Sequence, residues 1–397
     1  MILSSRPTTL AKETNSWQGI GLQFQRSCYV QLGHRFRLQN SEFPSRVSLP
    51  RACDSDLAAR GARPGQVSRS LPRHRYDIRA TAAPVEVGSH VQRTFSLPTL
   101  AHEIVAGSQV TWAPSSSRAE QPPPTAVLVH GIMGSKRNLQ SLARRLVEVF
   151  PSWQVLLVDL RNHGGSANLP WPEPSTVEAA AADVLRLLSQ LKLFPRLLIG
   201  HSFGGKVVLS MAQQFCAGKS RLPRPAQVWV LDALPGDIRS EDSPDHPKRL
   251  INKLREVPMP LRSRKTLLEF LAAQGFSDTV AQWVATNLRP TTHNRSLLNW
   301  TFDIEGIAQM YESYEQTNLW PIIMERPAGL DIDFVRAEKS TFRWAGPEQE
   351  VLESYNCGVY TLLDAGHWVH HDNLNGLVDI LRDSIVTHDI MASVDRI

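Results

Sequence analysis

The hydrophobic pattern changes its period near the middle of the chain, between residues 197 and 215. Leu197, Leu198 and Ile199 form a short apolar run of branched side chains, which predicts a buried strand. After this run the apolar residues recur at helical spacing, at Val208, Met211, Ala212 and Phe215. The pattern therefore predicts a strand, a tight turn and a helix, in that order.

Further apolar runs predict strands at residues 125–129, 228–231, 332–335 and 359–363. Helical spacing at Leu374, Leu377, Val378, Leu381 and Ile385 predicts a closing helix. Between the second and third of these strands the sheet pattern lapses, and residues 247–314 show helical spacing instead. We therefore expect an α/β fold, with a doubly wound, mostly parallel sheet and a helical cap inserted at about residues 236–325.

The predicted turn contains Ser202, with Gly200 and Gly204 two residues away on either side. This G-x-S-x-G arrangement between a strand and a helix is typical of a nucleophile elbow, which holds a serine hydroxyl out from a sharp turn. A chance match in an ordinary strand-to-helix turn is the alternative. The predicted strand and helix on either side favour the elbow, so Ser202 is the candidate nucleophile.

An elbow serine is followed along the chain by an acid and then by a histidine. His367 lies in the loop D-A-G-H-W-V, between the last predicted strand and the closing helix, where the general base is expected. His370 and His371 are alternatives, but they lie nearer to the helix and resemble polar loop residues. We therefore predict that His367 is the base.

The acid is predicted from the ends of the strands. Asp232 directly follows the strand 228–231, at the edge where open parallel sheets bind ligands. After the strand 332–335, Ser340 occupies the place where a carboxylate is often found, and Glu338 is two residues early. Asp232 is our choice, with a simple turn-forming role as its alternative and with Glu338 and Asp364 as weaker candidates.

Acyl transfer at a serine also needs donors for the oxyanion, usually two backbone N–H groups. Phe203 follows the nucleophile and supplies the first. The loop H-G-I-M-G-S after the strand 125–129 supplies the second, for which we choose Ile132, with Met133 as the alternative. Gly131 allows this loop to approach the elbow, and His130 is expected to hold the loop in place.

Four motifs together resemble a known family: H-G-I-M-G-S at 130–135, D-L-R-N-H-G-G-S at 159–166, G-H-S-F-G-G at 200–205 and A-G-H-W at 365–368. They resemble the alpha/beta hydrolase superfamily. The R-N-H-G stretch resembles, more narrowly, the esterase group of alpha/beta hydrolase domain-containing protein 11 and its bacterial relatives. In that group the acid ends the strand after the elbow helix, which matches Asp232. The resemblance covers about residues 98–388.

The resemblance implies a serine esterase that cleaves a small-molecule ester, with an apolar acyl group, through an acyl-enzyme intermediate. A Ser202–Asp232–His367 triad needs neither a metal nor an organic cofactor. Two alternatives remain open: a thioesterase or lipase that uses the same site, or a ligand-binding receptor that keeps the triad but turns over slowly.

Charge is unevenly distributed along the chain. Residues 1–79 carry 13 Lys plus Arg and five acidic residues, whereas the whole chain has a net charge of +5, so the remainder is slightly acidic. The basic excess therefore gives no reason to expect nucleic-acid binding. We interpret residues 1–79, rich in Ser and Arg, as a disordered transit peptide to the chloroplast, with the mitochondrion or an untargeted tail as alternatives. Residues 80–397 form the predicted hydrolase domain, and no apolar run is long enough to span a bilayer.

Overall fold

The structure is a computed structural model that describes residues 97–111, 122–238, 243–340, 344 and 346–394. The predicted transit peptide, residues 1–79, lies outside the described residues, and so do Cys28 and Cys53. Cys216 and Cys357 are free thiols.

Within these described ranges, seven strands form one sheet and two short strands form a separate hairpin. In chain order the strands are β1 (His102–Ala106), β2 (Thr125–Val129), β3 (Gln154–Val158), β4 (Pro195–His201), β5 (Gln227–Leu231), β6 (Leu288–Pro290), β7 (Leu298–Trp300), β8 (Asp331–Ala337) and β9 (Val359–Leu362). The large sheet has the order β1-β3-β2-β4-β5-β8-β9, and only β1 runs antiparallel to its neighbour. Strands β2, β3 and β5 carry apolar side chains on both faces and are buried throughout, as parallel strands covered by helices require.

The helices lie on both faces of this sheet. In chain order they are α1 (Gln140–Val149), α2 (Val177–Leu191), α3 (Phe203–Cys216), α4 (Pro247–Arg255), α5 (Arg264–Ala273), α6 (Asp278–Ala285), α7 (Ile304–Gln316), α8 (Trp320–Met324), α9 (Gly346–Ser354), α10 (Val369–Asp372) and α11 (Leu374–Val394). Helices α2 and α3 bury one face of the sheet, and α1 and α11 bury the other. The predicted doubly wound, mostly parallel fold is confirmed.

Helices α4 to α8 form the inserted cap, between β5 and β8. The cap also contains the β6–β7 hairpin, which the sequence pattern did not predict because three-residue strands are too short to show a period. The loop that contains Asn162 fastens the cap to the core: the Asp303 N–H donates to the Asn162 carbonyl at 2.9 Å. Gly306 in α7 packs against the Asn162 side chain, where a Cβ would collide with the amide group.

Among the residues that the structure describes, none of the helices combines the length and the apolar composition that crossing a membrane requires.

Candidate active site

Ser202 stands on a strained turn between β4 and α3. Its φ of 52° and ψ of −116° are unusual for a residue with a side chain, and such strain is common at functional sites. The flanking glycines are needed because a Cβ at Gly200 would collide with Gly204, and a Cβ at Gly204 would collide with the carbonyl of Val129. The Ser202 N–H continues the ladder to Leu231 at 2.9 Å, so the sheet itself fixes the turn. This local geometry is that of the predicted elbow.

Asp232 and His367 meet at the carboxyl ends of β5 and β9. The His367 Nδ1 donates to Asp232 Oδ2 at 2.7 Å, although 135 positions separate the two residues along the chain. The Asp232 side chain is fully buried, and the His367 side chain keeps about a quarter of its surface exposed. This contact orients the imidazole and fixes which of its nitrogens carries the proton.

Three further donors hold the Asp232 carboxylate. The Ala337 N–H and the Trp344 indole donate to Oδ1 at 3.1 Å and 3.3 Å, and the Ser340 hydroxyl donates to Oδ2 at 2.5 Å. A buried carboxylate is tolerated where hydrogen bonds and a partner replace its lost water. The sequence indicates that Ser340 occupies a common acid position, but it does not predict that Ser340 and Trp344, in the segment after β8, would hold the acid.

The alternative acids point elsewhere. Glu338 Oε2 accepts the Asp364 N–H at 2.9 Å, and the exposed Asp364 side chain pairs with Lys339 at 2.7 Å. Both carboxylates are therefore engaged away from His367, and Asp232 is the acid that the described residues bring to the imidazole.

The prediction that His370 is a polar loop residue is wrong. His370 lies in α10, only 6% of it is exposed, and its ring packs edge-on against His201 with centroids 4.7 Å apart. The apolar stretch at Trp368 and Val369 starts a short helical turn that carries His370 inwards, whereas His371 stays exposed. Burial and the neighbouring His367 lower the pKa of His370 to about 4, which keeps its ring neutral.

His201 connects the elbow to the base. Its Nε2–H donates to the backbone carbonyl of His367 at 2.7 Å, and the two rings lie 4.8 Å apart. Burial first, and then His370 and His367, hold the pKa of His201 well below its usual value, so its ring stays neutral. The residue before the nucleophile therefore positions the backbone of the candidate base.

The loop after β2 lies against the elbow. A Cβ at Gly131 would lie 3.1 Å from His201 Nδ1 and 3.4 Å from the Ser202 Cβ, so this loop lies directly beside the elbow. The Met133 N–H donates to His163 Nε2 at 3.0 Å and is therefore engaged elsewhere. Ile132 borders the same cavity as Ser202, and Phe203 begins α3, where backbone N–H groups point outwards.

Buried histidines support this loop from behind. The His163 Nδ1 donates to the Arg161 carbonyl at 2.7 Å, and burial lowers its pKa to about 3, so Nε2 stays an acceptor for Met133. His130 also bridges two backbone segments: its Nδ1 donates to the Gly131 carbonyl at 2.8 Å, and its Nε2 accepts the Leu160 N–H at 3.1 Å. Both histidines act as supports of the loop, as expected for His130.

The charged residues of the motif at 159–166 form ion pairs. Arg161 forms a buried ion pair with Asp183 at 2.7 Å, and Asp159 binds Lys136 at 2.6 Å. The charges of Arg161 and Asp159 are therefore compensated by neighbouring side chains.

A cavity of about 1040 Å³ lies between the core and the cap, and both Ser202 and His367 border it. The cap contributes aromatic side chains to its wall, namely Trp283, Tyr311, Tyr314 and Trp320. The formal charges along its wall are mainly negative: Asp237, Asp245, Glu348 and Asp372, with Lys339 as the positive one among the described lining residues. The cavity is thus apolar near its aromatic wall and acidic at other points.

Comparison with known proteins agrees with this geometry. The sequence profile described as "Alpha/beta hydrolase family" matches residues 126–380. The chain is 29% identical over 274 residues to sn-1-specific diacylglycerol lipase ABHD11 of Xenopus tropicalis, covering 66% of this chain and 79% of that protein. It is 29% identical over 262 residues to the protein of the same name from Mus musculus, covering 64% and 79%.

Among solved structures, a marine microorganism esterase superimposes with a TM-score of 0.56 at 20% identity. The match covers 72% of this chain and 99% of that one. At this identity the likeness concerns the fold.

Proposed function

The chain belongs to the alpha/beta hydrolase family, and on that basis we propose that it is a serine esterase that hydrolyses carboxylic esters. The proposal rests above all on one observation: His367 is held by the buried Asp232 and borders the same cavity as the elbow residue Ser202. The sequence relatives named as diacylglycerol lipases favour the same reaction class.

In the proposed mechanism Ser202 Oγ attacks the ester carbonyl while His367 takes the hydroxyl proton. Asp232 keeps the imidazole in the required tautomer and stabilises its cation, which the carboxylate contact at 2.7 Å allows. The backbone N–H groups of Phe203 and Ile132 bind the oxyanion. His367 then protonates the leaving alkoxide and activates a water molecule, which releases the acid from Ser202.

The cavity favours neutral esters with an apolar acyl group. Aromatic side chains of the cap provide the apolar wall, and small-molecule sites are mostly apolar with few polar groups. The four carboxylates on the wall repel anions, and the Lys339 charge is already bound by Asp364. We therefore propose an uncharged ester, of which the acylglycerol named for the relatives is one example, rather than a thioester of a polyanionic carrier.

The test is the rate of hydrolysis by Ser202→Ala on a panel of neutral esters and coenzyme A thioesters. We expect kcat to fall by about 10⁵- to 10⁶-fold, because the nucleophile is removed and only binding and oxyanion stabilisation remain. The matched control is Ser210→Ala, which removes a serine on α3 that faces Gln214 and does not border the cavity. The control should keep near-normal turnover.

Labelling with a fluorophosphonate separates an enzyme from a receptor. Stoichiometric labelling of Ser202 together with sustained turnover supports the esterase. Labelling without turnover on any ester of the panel would instead favour a ligand-binding receptor, and faster cleavage of the thioesters would favour a thioesterase.

A further inference from the structure

Tyr314 places an unpaired phenol beside the nucleophile. Only 2% of this residue is exposed, and its buried hydroxyl finds no regular hydrogen-bond partner among the residues that the structure describes. The residue borders the cavity together with Ser202, and the hydroxyl approaches the Ser202 side chain closely enough to influence its own pKa. Within the described part of the chain the two hydroxyls are close to each other without forming a regular hydrogen bond. A buried donor without a partner is unfavourable, so its persistence at a cavity wall needs an explanation.

Lys206 fixes Tyr314 in this place. Lys206 is fully buried on α3, and its Nζ donates to the carbonyls of Tyr314 and Thr317 at 2.6 Å and 2.8 Å. The same ammonium lies 4.6 Å from the centroid of the Tyr314 ring. A cation at the carboxyl end of a helix is favourable, and here that helix is α7 of the cap. Since Lys206 lies one helical turn after Ser202, the elbow helix itself holds the phenol.

Neighbouring rings restrict the remaining movement of Tyr314. Its ring packs against Phe203 and Tyr311, with centroids 5.6 Å and 5.7 Å apart. Burial, together with the nearby Tyr311, raises the pKa of the Tyr314 hydroxyl well above its usual range, whereas Ser202 lowers it only in part. The phenol therefore keeps its proton over the working pH range of an esterase and remains a donor.

We propose that Tyr314 is a catalytic residue whose hydroxyl donates a hydrogen bond to the acyl oxygen when the substrate is bonded to Ser202, and that Lys206 is the residue that positions it. As the bond from Ser202 Oγ to the carbonyl carbon forms, the π electrons of the carbonyl move to its oxygen and the serine proton passes to His367. Tyr314 keeps its own proton throughout. It thus adds a side-chain donor from the cap to the two backbone donors proposed above, and so this inference rests on the proposed esterase function.

The test compares Tyr314→Phe with the unchanged protein on a neutral ester with a short acyl chain. Loss of a preorganised donor to the oxyanion should lower kcat by about tenfold to a hundredfold. The KM should change little, because the contact strengthens only as negative charge develops on the acyl oxygen. The melting temperature should stay equal or rise, since the change removes a buried hydroxyl that has no partner.

The matched control is Tyr360→Phe, which removes the same atom from a half-exposed tyrosine on β9 that does not border the cavity. It should leave kcat unchanged. Lys206→Met is a second test. This variant should also have a lower kcat, and adding Tyr314→Phe to it should lower kcat little further.

Equal kcat for Tyr314→Phe and the unchanged protein would overturn the proposal, provided that Ser202→Ala is inactive. Should Tyr314→Phe fold poorly, Lys206→Met alone decides, and a kcat equal to that of the unchanged protein would then overturn the proposal. Where both variants fold, losses of kcat that simply multiply in the double variant would also overturn it, because they exclude a shared role. Near-normal turnover by Ser202→Ala would instead contradict the proposed esterase mechanism, so the failure of that mechanism can be distinguished from the failure of the Tyr314 proposal.

Discussion

At the scale of single residues, the hydrogen bonds around Asp232 explain how this residue can act as the acid that holds His367. Among the described residues, four groups reach its carboxylate: the Ala337 N–H at the end of β8, the Ser340 hydroxyl and the Trp344 indole after that strand, and His367. A carboxylate so fully satisfied is rigid, and a rigid acid holds the imidazole in one orientation.

Asp232→Asn should lower kcat by about 10⁴-fold, because an amide no longer fixes the required tautomer of His367. Steady-state hydrolysis of a neutral ester is the measurement. Asp364→Asn is the matched control, and it should leave kcat nearly unchanged since Asp364 pairs with Lys339 on the surface. Near-normal turnover of Asp232→Asn would move the acid role to another residue.

The contact between Asp232 and His367 could be predicted from the sequence because both residues follow predicted parallel strands. The carboxyl ends of such strands share one edge of the sheet. The roles of Ser340, Trp344 and Tyr314 at the site could not be predicted, because their contacts join segments with no common sequence pattern. The burial of His370 was not predicted because a single helical turn is too short to show a period of apolar residues.

At the scale of elements, the connection between the core and the cap depends on close packing. The change of hydrophobic period around Ser202 predicted β4, the elbow and α3, and the long helical stretch predicted the cap. The motif at 159–166 was noted only for its resemblance to a known family, whereas the structure shows that Asn162 within it contacts α7 at Gly306. A contact of this kind depends on side-chain volume and not on periodicity.

Gly306→Ala should destabilise the protein, although alanine normally favours a helix by about 1 kcal/mol over glycine. The added methyl collides with the Asn162 amide, and overpacking a buried contact costs about 1–3 kcal/mol, so the collision outweighs the helix preference. Thermal unfolding measures the effect. Glu312→Ala, at an exposed position of the same helix, should change the melting temperature little. A higher melting temperature for Gly306→Ala would contradict the packing argument.

At the scale of the whole molecule, four buried neutral histidines make the fold sensitive to acid. The pKa values of His130, His163, His201 and His370 are all lowered, chiefly by burial. The unfolded chain therefore binds more protons than the folded one as the pH falls below about 6.5. Asp333 acts in the opposite direction, since burial raises its pKa to about 6, but it accounts for one proton only.

We expect the free energy of unfolding to fall as the pH drops from 6.5 towards 4. A net difference of about three protons corresponds to roughly 4 kcal/mol per pH unit, a large share of a typical stability of about 5–15 kcal/mol. Urea denaturation at pH 7.5 and 5.5 gives the slope. His370→Leu should reduce this slope by about one proton, while the exposed His293→Gln should leave it unchanged. Equal stability at both pH values would refute this account.

Gly204 packs directly against the main chain at Val129, so close backbone packing holds the elbow on the core side of the cavity, whereas the cap contributes Trp283, Tyr311, Tyr314 and Trp320 to the wall. Main-chain atoms cannot be exchanged by mutation, but cap residues such as Trp283 can. Redesign of this protein for a new acyl group should therefore concentrate on the cap, where the shape of the binding space can be altered without moving the reacting atoms.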